Sequence, residues 1–408
     1  MTQALVSFCI PTYNRGRYLD SLLQSLTQQL ADFPHAFEVF ISDNGSDDDT
    51  EAVAARYMDA LPLRYKRHAS NRGSSANYQY LMDQAQGEYL VYVADDDCIL
   101  GHRVAEIIDL MEANPGVGIA YAPWKLYDLV ADKDQGQFYQ QDRDVLIPQG
   151  QHQMLLDTLL RYSIFPEIYI CRRNLIRTMM PSVPEQAFYA FVHASEFVHQ
   201  ASVLFLQEPY YISVTNYFAD HQRNQAGMGE AEHAWDRYRG GLEYVLGRAS
   251  QQVSPMERIG FNLRIQEMIA QRISVAIRLR MAAQRNPVET YYLAYRLKAL
   301  GAEQQLPVPL QTLRSQAALS FLLTDTELNR DVTELVFVGT YEPELRRHVE
   351  ELKGARKVRF ASTPAQLGTL HAHNLVLVRG TPAVLAELPQ DSGARIVHEP
   401  ALLQKFAA

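Results

Sequence analysis

The stretch YLVYVADDD, from Tyr89 to Asp97, joins an apolar run to three successive aspartates. The apolar residues 89–93 predict a buried strand. Adjacent carboxylates repel one another, so a strand end that carries three of them requires a compensating cation. Hard divalent cations such as Mg²⁺ and Mn²⁺ prefer oxygen ligands and often bridge to phosphates. For the triplet taken alone, a solvated acidic turn is the alternative interpretation.

The chain before this stretch alternates strand and helix patterns. Apolar runs predict strands at 5–10, 37–41, 63–67 and 89–93, and helical spacing predicts helices at 17–29, 49–60 and 74–85. Such alternation indicates an α/β fold with a mostly parallel sheet that helices cover on both faces. Ligands of these sheets bind at the carboxyl ends of the strands. The polar clusters at 12–15, 42–49 and 95–97 fall at those ends.

Length and composition limit the remaining possibilities. The 408 residues suggest two or three domains. Hydrophobic residues make up 47% and charged residues 21%, which excludes an intrinsically disordered chain. The formal net charge of −9 argues against a nucleic-acid partner.

The pattern changes along the rest of the chain. A mixed region is followed by a wholly helical one, and from Leu335 a second strand–helix alternation predicts a small parallel sheet of four strands. We therefore expect a catalytic domain at 1–228, a helical linker or platform at 229–330, and a small α/β domain of unassigned role at 331–408. The last region lacks the Gly-x-Gly-x-x-Gly pattern of dinucleotide-binding folds.

The cellular location is predicted from cysteine and hydropathy patterns. Three cysteines do not make a disulfide framework, and their spacing matches no zinc motif. No apolar run approaches the length that spans a bilayer, and the first residues lack the order of a signal peptide. We expect a cytoplasmic protein. For the arginine-rich helical region, contact with the inner face of the cell membrane, an oligomer interface and ordinary domain packing stay open.

Five motifs in a fixed order carry a family resemblance. They are Val6–Arg15 (VSFCIPTYNR), Ile41–Asp48 (ISDNGSDD), Asn71–Gly73 with Asn77, Gly87–Tyr89, and the aspartate triplet. In this order and spacing, residues 4–225 resemble the family 2 glycosyltransferases of GT-A fold, a Rossmann-like α/β fold. The resemblance implies an inverting transferase that uses a nucleotide-diphosphate sugar, with UDP favoured. It implies a hydroxyl acceptor on a glycan, a lipid-linked sugar or a protein.

The resemblance also implies the donor site. Thr12 and Tyr13 would line the nucleoside, and Asp43 corresponds to the aspartate that holds uracil in similar enzymes. Arg223 could bind diphosphate oxygens bidentately. The residues assigned to the donor on these grounds are Pro11, Thr12, Tyr13, Asn14, Arg15, Asp43, Asn71, Gly73, Asn77, Asp95 and Arg223.

For the cofactor, the resemblance implies a divalent cation, Mn²⁺ or Mg²⁺, on the diphosphate. The chain departs from the family here, because Ala94 stands where the first aspartate of Asp-x-Asp-Asp is usual. Asp96 then matches the direct ligand best, with Asp97 beside it. His221, in a stretch similar to the family's His-x-x-Asn, is the third expected ligand.

Inversion at the anomeric carbon also requires a carboxylate that takes the proton of the acceptor hydroxyl. Glu196 is the predicted base, since it lies where similar enzymes carry an acidic motif before a helix. Glu185 is its competitor, and His193 could orient the acceptor. An ordinary carboxylate near a helix N-terminus is the alternative interpretation of Glu196.

Two other functions compete with this prediction. A nucleotidyltransferase would need a Gly-rich, basic loop after the first strand, and the sequence PTYNRGR there has one glycine. A non-catalytic nucleotide- or glycan-binding assembly protein is consistent with the Ala94 departure. The expected partners are the donor and its acceptor, with no nucleic acid, and a homo-oligomer through the C-terminal half is possible. Synthesis of bacterial surface polysaccharide or glycoconjugate is the process the resemblance suggests.

Overall fold

The computed structural model describes residues 5–178, 186–220, 231–233 and 235–406. These form two compact units. The first comprises the described residues up to 220 together with 235–268, and the second comprises 231–233 together with 269–406. The three-part division at 228 and 330 stays a prediction.

Twelve strands of the first unit form two sheets. The strands are β1 (Val6–Thr12), β2 (Phe37–Asp43), β3 (Leu63–Arg67), β4 (Tyr89–Tyr92), β5 (Cys98–Ile99), β6 (Val117–Tyr121), β7 (Trp124–Asp128), β8 (Lys133–Gln137), β9 (Val145–Ile147), β10 (Tyr169–Arg172), β11 (Ser202–Phe205) and β12 (Tyr211–Asn216). The larger sheet has the order β3-β2-β1-β4-β10-β6-β11-β9, and the smaller has the order β5-β12-β7-β8.

The first four strands of the larger sheet are parallel, as the sequence predicts. β1 pairs with β2 on one side and with β4 on the other, and β2 pairs with β3. β10 then runs antiparallel to β4, with Ile170 opposite Val91. The carboxyl ends of β1, β2 and β4 therefore meet the amino end of β10 at one edge of the sheet. The loops that bind ligand in folds of this kind leave from that edge.

The helices of the first unit are α1 (Gly16–Gln29), α2 (Thr50–Arg56), α3 (Ser74–Gln84), α4 (Gly101–Ala113), α5 (His152–Arg161), α6 (Arg173–Thr178), α7 (Tyr189–Gln200), α8 (Trp235–Arg248) and the first half of α9 (Pro255–Ala282). In α1, leucines 19, 22, 23 and 26 are fully buried, and their spacing of three and four residues makes one apolar face. The predicted helix 49–60 is wrong at its end, because residues 57–60 form turns after Arg56.

The first strand also differs from its prediction, since β1 continues through Pro11 to Thr12. Proline lacks an N–H group and is tolerated where one side of a strand has no partner. Pro11 pairs with Ser42 of β2, whereas the pairing of β1 with β4 ends at Cys9. The longer strand brings Thr12 level with Asp43 at the end of β2.

The second unit contains the rest of α9 and a separate parallel sheet. Its elements are α10 (Pro287–Ala299), α11 (Leu310–Thr324), β13 (Glu334–Val338), α12 (Pro343–Leu352), β14 (Lys357–Ala361), β15 (Asn374–Val378), α13 (Pro382–Ala386), β16 (Arg395–His398) and α14 (Glu399–Leu403). The strand order is β14-β13-β15-β16, and all pairs are parallel. This confirms the predicted four-stranded sheet. Among the described residues, no helix has the length and apolar character needed to cross a membrane.

Candidate active site

Contacts between β1 and the turn after β4 join two motifs that are 83 residues apart. Thr12 ends β1, and its Oγ1 donates a hydrogen bond to Oδ2 of Asp95 at 2.8 Å. Arg15 Nη1 donates to Oδ1 of Asp95 at 3.3 Å and also to Oδ2 of Asp96. The carboxylates of Asp95 and Asp96 therefore converge on one nitrogen atom. The structure thus brings together three of the predicted donor residues and the predicted metal ligand Asp96.

The electrostatics of this cluster favour an additional cation. Asp95 and Asp96 are both almost buried, with side chains 8% and 12% exposed. Burial raises the pKa of Asp95 to about 7, and the neighbouring Asp96 adds to the effect, although Arg15 opposes it. A carboxyl group shifted in this direction is one whose negative charge is poorly stabilised. A positive ligand at this position would remove that cost.

Asp97 is held by the second sheet. Tyr211 of β12 donates a hydrogen bond from its hydroxyl to Oδ2 of Asp97 at 3.0 Å, and the Val214 backbone N–H donates to Oδ1 at 2.9 Å. The Tyr211 hydroxyl also accepts from the backbone N–H of Ala94 at 3.0 Å. Tyr211 therefore fixes both ends of the aspartate turn. The role of Asp97 as a metal ligand stays a prediction.

Asp43 lies fully buried at the end of β2 and organises the loop that follows. Its Oδ1 accepts from the backbone N–H of Ser46 at 2.8 Å and from the Ser46 hydroxyl at 2.6 Å. Its Oδ2 accepts from the Tyr65 hydroxyl of β3. Burial raises the pKa of Tyr65, and the bond to Asp43 adds to the effect, so Tyr65 stays protonated and keeps donating. The role of Asp43 in binding the base stays a prediction.

The remaining predicted donor residues meet around this loop. Asn44 donates from Nδ2 to Oδ1 of Asn71 at 3.0 Å. Ser42 donates from Oγ to Oδ1 of Asn77 at 2.6 Å, and Asn77 returns a bond to the Ser42 carbonyl at 2.9 Å. Gly45 has φ of +83°, and a Cβ there would lie 2.8 Å from the Ser70 carbonyl carbon, so only glycine fits.

The PTYN segment, residues 11–14, also contacts the loop after β2. Asn14 has φ of +52°, and its backbone N–H donates to Oγ of Ser46 at 2.8 Å. Its Oδ1 accepts from the Asp47 backbone N–H at 2.9 Å. Tyr13 is 42% exposed, which leaves its ring accessible to a ligand. Pro11 is half-buried, and Gly73 is exposed with φ of +85° before α3.

The predicted base lies on α7 and contacts the neighbouring helix α8. Glu196 Oε1 accepts a hydrogen bond from the Tyr244 hydroxyl at 2.6 Å and from Nη1 of Arg248 at 3.4 Å. His193, one turn earlier, is half-buried, and burial lowers its pKa to about 4. The catalytic role of Glu196 and the acceptor role of His193 stay predictions. Glu185, His221 and Arg223 lie outside the described residues.

The carboxylates of Asp95 and Asp96 fit a cation that also binds a substrate. Within the ranges that the structure describes, no group of three or more His, Cys, Asp or Glu side chains is arranged to hold a metal ion. Mg²⁺ is usually held by one or two carboxylates together with substrate phosphates. The paired carboxylates of Asp95 and Asp96 supply hard oxygen atoms of this kind. They are the residues that would hold the ion.

Two tyrosines of the site were missed by sequence reasoning. Tyr65 and Tyr211 contact Asp43 and Asp97 across 22 and 114 residues of chain. Both lie in strands, where an aromatic residue is expected for packing alone. The position of a tyrosine hydroxyl at the predicted ligand-binding edge could have identified them. That position can be assigned only when the strand order is known.

Part of this chain is similar in sequence to known proteins. Residues 7–171 match the family model described as Glycosyl transferase family 2. A Haemophilus influenzae protein named "Uncharacterized glycosyltransferase" is 30% identical over 121 residues, which are 30% of this chain and 39% of that protein. Abequosyltransferase RfbV of Salmonella typhimurium is 38% identical over 103 residues, 25% of this chain and 31% of RfbV.

The matched segments span well under half of those relatives' length. Among solved structures, residues 1–349 of Staphylococcus aureus TarS align over 74% of this chain and 88% of that chain, with 17% identity and a TM-score of 0.42. The mannosyltransferase PcManGT of Pyrobaculum calidifontis, solved with GDP-Man and Mn²⁺, covers 78% of this chain and 88% of its own, with 15% identity and a TM-score of 0.43.

Proposed function

We propose that this protein is an inverting glycosyltransferase, because residues 7–171 match the model of Glycosyl transferase family 2. It moves a sugar from a nucleotide-diphosphate sugar to a hydroxyl group of a glycan, glycolipid or protein acceptor. One observation carries the proposal. Within the matched region, the buried Asp43 ends β2 and the buried Asp95 and Asp96 follow β4, at the edge where such sheets bind ligands.

The donor binds along this edge in the proposal, with its nucleoside next to the PTYN segment. The exposed ring of Tyr13 stacks on the base, and the loop that Asp43 orders accepts hydrogen bonds from the base or ribose. A UDP-sugar is the favoured donor. Asn71, Asn77 and Asn14 keep the two sides of the loop in place through the contacts described above.

The diphosphate lies over the aspartate turn. Arg15 and the Asp95–Asp96 pair face it in this proposal, and Asp97 is oriented by Tyr211. A bound Mn²⁺ or Mg²⁺ would supply Lewis-acid stabilisation of the leaving diphosphate. Asp96 and Asp95 would hold that ion, and the predictions for Asp97 and His221 as further ligands are part of the same proposal. Arg223 is the predicted contact for diphosphate oxygens.

The acceptor class and the cellular process rest on resemblance. Two of the relatives are named for glycosyl transfer, one of abequose and one of N-acetylglucosamine onto poly(ribitol-phosphate). We propose a role in bacterial surface polysaccharide or glycoconjugate synthesis for this chain as well. Contact with the inner face of the cell membrane and self-association through the C-terminal half belong to the same proposal.

A thermal-shift screen of nucleoside diphosphates with Mn²⁺ tests donor binding directly. A ligand that binds only the native state raises the melting temperature with its affinity and concentration. We expect UDP with Mn²⁺ to give the largest shift. No response to UDP, GDP, CDP or dTDP would contradict the proposed function.

Nucleotide release from the matching sugar donor, with p-nitrophenyl glycosides as acceptors, then tests turnover. We expect release that depends on Mn²⁺ or Mg²⁺. Donor binding without release on any acceptor would favour the alternative, a non-catalytic nucleotide- or glycan-binding protein. Release of pyrophosphate from a nucleoside triphosphate would indicate a nucleotidyltransferase instead.

A further inference from the structure

Glu167 lies at the same edge of the large sheet as the aspartate turn. It precedes β10 by two residues, and β10 runs antiparallel to β4 with Ile170 opposite Val91. In an antiparallel pair the start of one strand lies beside the end of the other. The residues just before β10 therefore lie next to those just after β4. Asp95 begins three residues after the end of β4.

The first residue of α7 holds the carboxylate of Glu167. The Tyr189 hydroxyl donates to Oε1 of Glu167 at 3.1 Å. Glu167 and Tyr189 are both half-buried. Burial raises the pKa of Tyr189, and the negative charge of Glu167 adds to the effect, so Tyr189 stays protonated as the donor.

Further tyrosines connect this pair to the aspartate turn. Tyr78 and Tyr92 contact each other with ring centroids 5.7 Å apart, and the hydroxyls of Tyr78 and Tyr169 share a hydrogen bond. We define Tyr78, Tyr92, Tyr169 and Tyr189 as the tyrosine cluster. Burial raises the pKa of Tyr92, and the charge of Asp95 adds to it. Tyr189 therefore contacts Glu167, and Tyr92 lies near enough to Asp95 to feel its charge.

The chemistry of this surface suits an acceptor sugar. Three members of the cluster, Tyr78, Tyr92 and Tyr189, are half-buried. Aromatic rings that offer an apolar face and a polar edge bind amphipathic partners well. A carboxylate that borders such a surface can accept the proton of a bound hydroxyl group, provided that it comes within hydrogen-bond reach.

Glu196, the base predicted from the sequence, has different surroundings. It lies seven residues after Tyr189 on α7, which is roughly 10 Å along the helix axis at 1.5 Å per residue. Its described partners, Tyr244 and Arg248, belong to α8. Both glutamates accept a tyrosine hydroxyl, but Glu167 is the one placed at the ligand edge of the sheet.

We propose that Glu167, and not Glu196, is the general base of the glycosyl transfer. The inference rests on the proposed function. The acceptor hydroxyl oxygen forms the new bond to the anomeric carbon, while the bond from that carbon to the diphosphate oxygen breaks. The leaving nucleoside diphosphate takes the electron pair of the broken bond, and the hydroxyl proton passes to the Glu167 carboxylate. Solvent removes that proton before the next turnover.

The test compares two matched substitutions, Glu167→Gln and Glu196→Gln, each of which replaces a carboxylate that accepts a tyrosine hydroxyl. Glu208→Gln, in the exposed turn between β11 and β12, is the control for substitution itself. Nucleotide release from the sugar donor is measured from pH 5 to 9, and the thermal shift with UDP and Mn²⁺ is measured in parallel.

We expect Glu167→Gln to lower kcat by roughly 10²- to 10⁴-fold, the usual contribution of a general base. The acidic limb of the pH–rate profile should disappear, while the thermal shift with UDP and Mn²⁺ stays at the wild-type value. A merely structural role would lower the shift and leave the shape of the profile unchanged.

Three outcomes would overturn the inference. They are wild-type turnover by Glu167→Gln, a loss of the UDP shift in that variant with an unchanged pH profile, or a larger loss of kcat in Glu196→Gln. In each of these cases the wild-type enzyme still releases nucleotide, so the proposed function stands. A wild-type protein that binds no nucleotide and releases none fails the proposed function itself, and the inference fails with it.

Discussion

At the carboxyl ends of the parallel strands in each unit, one arginine contacts two carboxylates, and the two arginines contact them in different ways. In the first unit Arg15 faces Asp95 and Asp96, and in the second unit Arg379 faces Glu342 and Glu399. In the part of the chain that the structure describes, Nη1 of Arg15 contacts both carboxylates, and burial raises the pKa of Asp95 to about 7.

Arg379 instead uses three nitrogens. Nε and Nη2 bind both oxygens of Glu399, at 2.6 and 2.9 Å, and Nη1 binds Glu342 at 2.9 Å. Hydrogen bonding to Arg379 lowers the pKa of Glu342, which is largely exposed. A bidentate guanidinium satisfies its carboxylate. The difference teaches that two acids near one arginine can be held in different ways, by two nitrogens on one carboxylate in the second unit and by one nitrogen on two carboxylates in the first.

Removal of one buried carboxylate from the first unit should have the largest effect on activity. In Asp96→Asn the cluster loses a charge on which the proposed cation depends, and that ion contributes several kcal/mol to catalysis. At 1.36 kcal/mol per tenfold change, we expect nucleotide release to fall roughly 10²- to 10³-fold. Asp59→Asn, in the exposed turn after α2, serves as the control. Full turnover by Asp96→Asn would show that Asp96 is not needed for activity.

Loss of the tyrosine that orients the turn should have a smaller effect. Tyr211→Phe removes the hydroxyl that contacts Asp97 and Ala94. Groups that orient metal ligands usually contribute a factor of about 10–100 in metal affinity. We expect the Mn²⁺ concentration that gives half of the UDP thermal shift to rise by that factor. Tyr162→Phe, which removes an exposed bond to Asp142, should leave it unchanged. An equal midpoint in both variants would contradict the orienting role.

Loss of the ion pair between Arg379 and Glu399 in the second unit should lower stability and leave ligand binding unchanged. Arg379→Met removes a pair in which Arg379 is 25% and Glu399 12% exposed. A fully buried pair costs about 3–5 kcal/mol when one partner is lost, so we expect about 2 kcal/mol here. Hydrogen exchange of the β13 and β15 amides measures the loss. Arg330→Met, in an exposed pair with Glu327, is the control. A reduced UDP thermal shift would disprove the distinction between the two edges.

The stability of the first unit should also depend on a buried histidine away from the aspartate turn. Its response to acid distinguishes the effect of helix packing from that of the carboxylates. Burial lowers the pKa of His152 to about 4, and Arg248 and His199 add to the effect while Glu196 opposes it. The unfolded chain takes up this proton near pH 6.5, so the unfolded state binds more protons below that pH. Stability is therefore full above pH 6.5 and is lost as the pH falls toward 4.

These two pKa values give a fall of about 2 kcal/mol in the free energy of unfolding between pH 7 and pH 5. Solvent screening reduces it, so we expect a fall of about 1–2 kcal/mol. Urea midpoints of the wild type and of His152→Gln measure it, and the variant should show a flatter pH dependence. His102→Gln, on the exposed face of α4, should retain the wild-type slope. Identical slopes in the wild type and in His152→Gln would show that another group carries the acid sensitivity.

The sequence alone predicted the first four parallel strands of the large sheet, the four-stranded parallel sheet of the second unit, and the positions of Thr12, Asp43 and the aspartate triplet at strand ends. These predictions succeed because they depend on local patterns. An apolar run of four to six residues makes a buried strand, and in a parallel sheet the residue after each strand falls at a known edge. The end of α2 at Arg56 was missed, because turn formation after it depends on packing against neighbouring elements.

Only the tertiary structure decided which side chains hold the acids in place. Tyr65, Tyr211 and Tyr189 stand 22 or more residues from the carboxylates that they contact. Such contacts follow from strand order and from antiparallel pairing, which no short pattern encodes. The sequence by itself determined that acidic groups gather at one edge. The fold determined that Asp95 and Asp96 share one arginine nitrogen while Glu399 receives two, because burial and donor geometry exist only after the strands have paired.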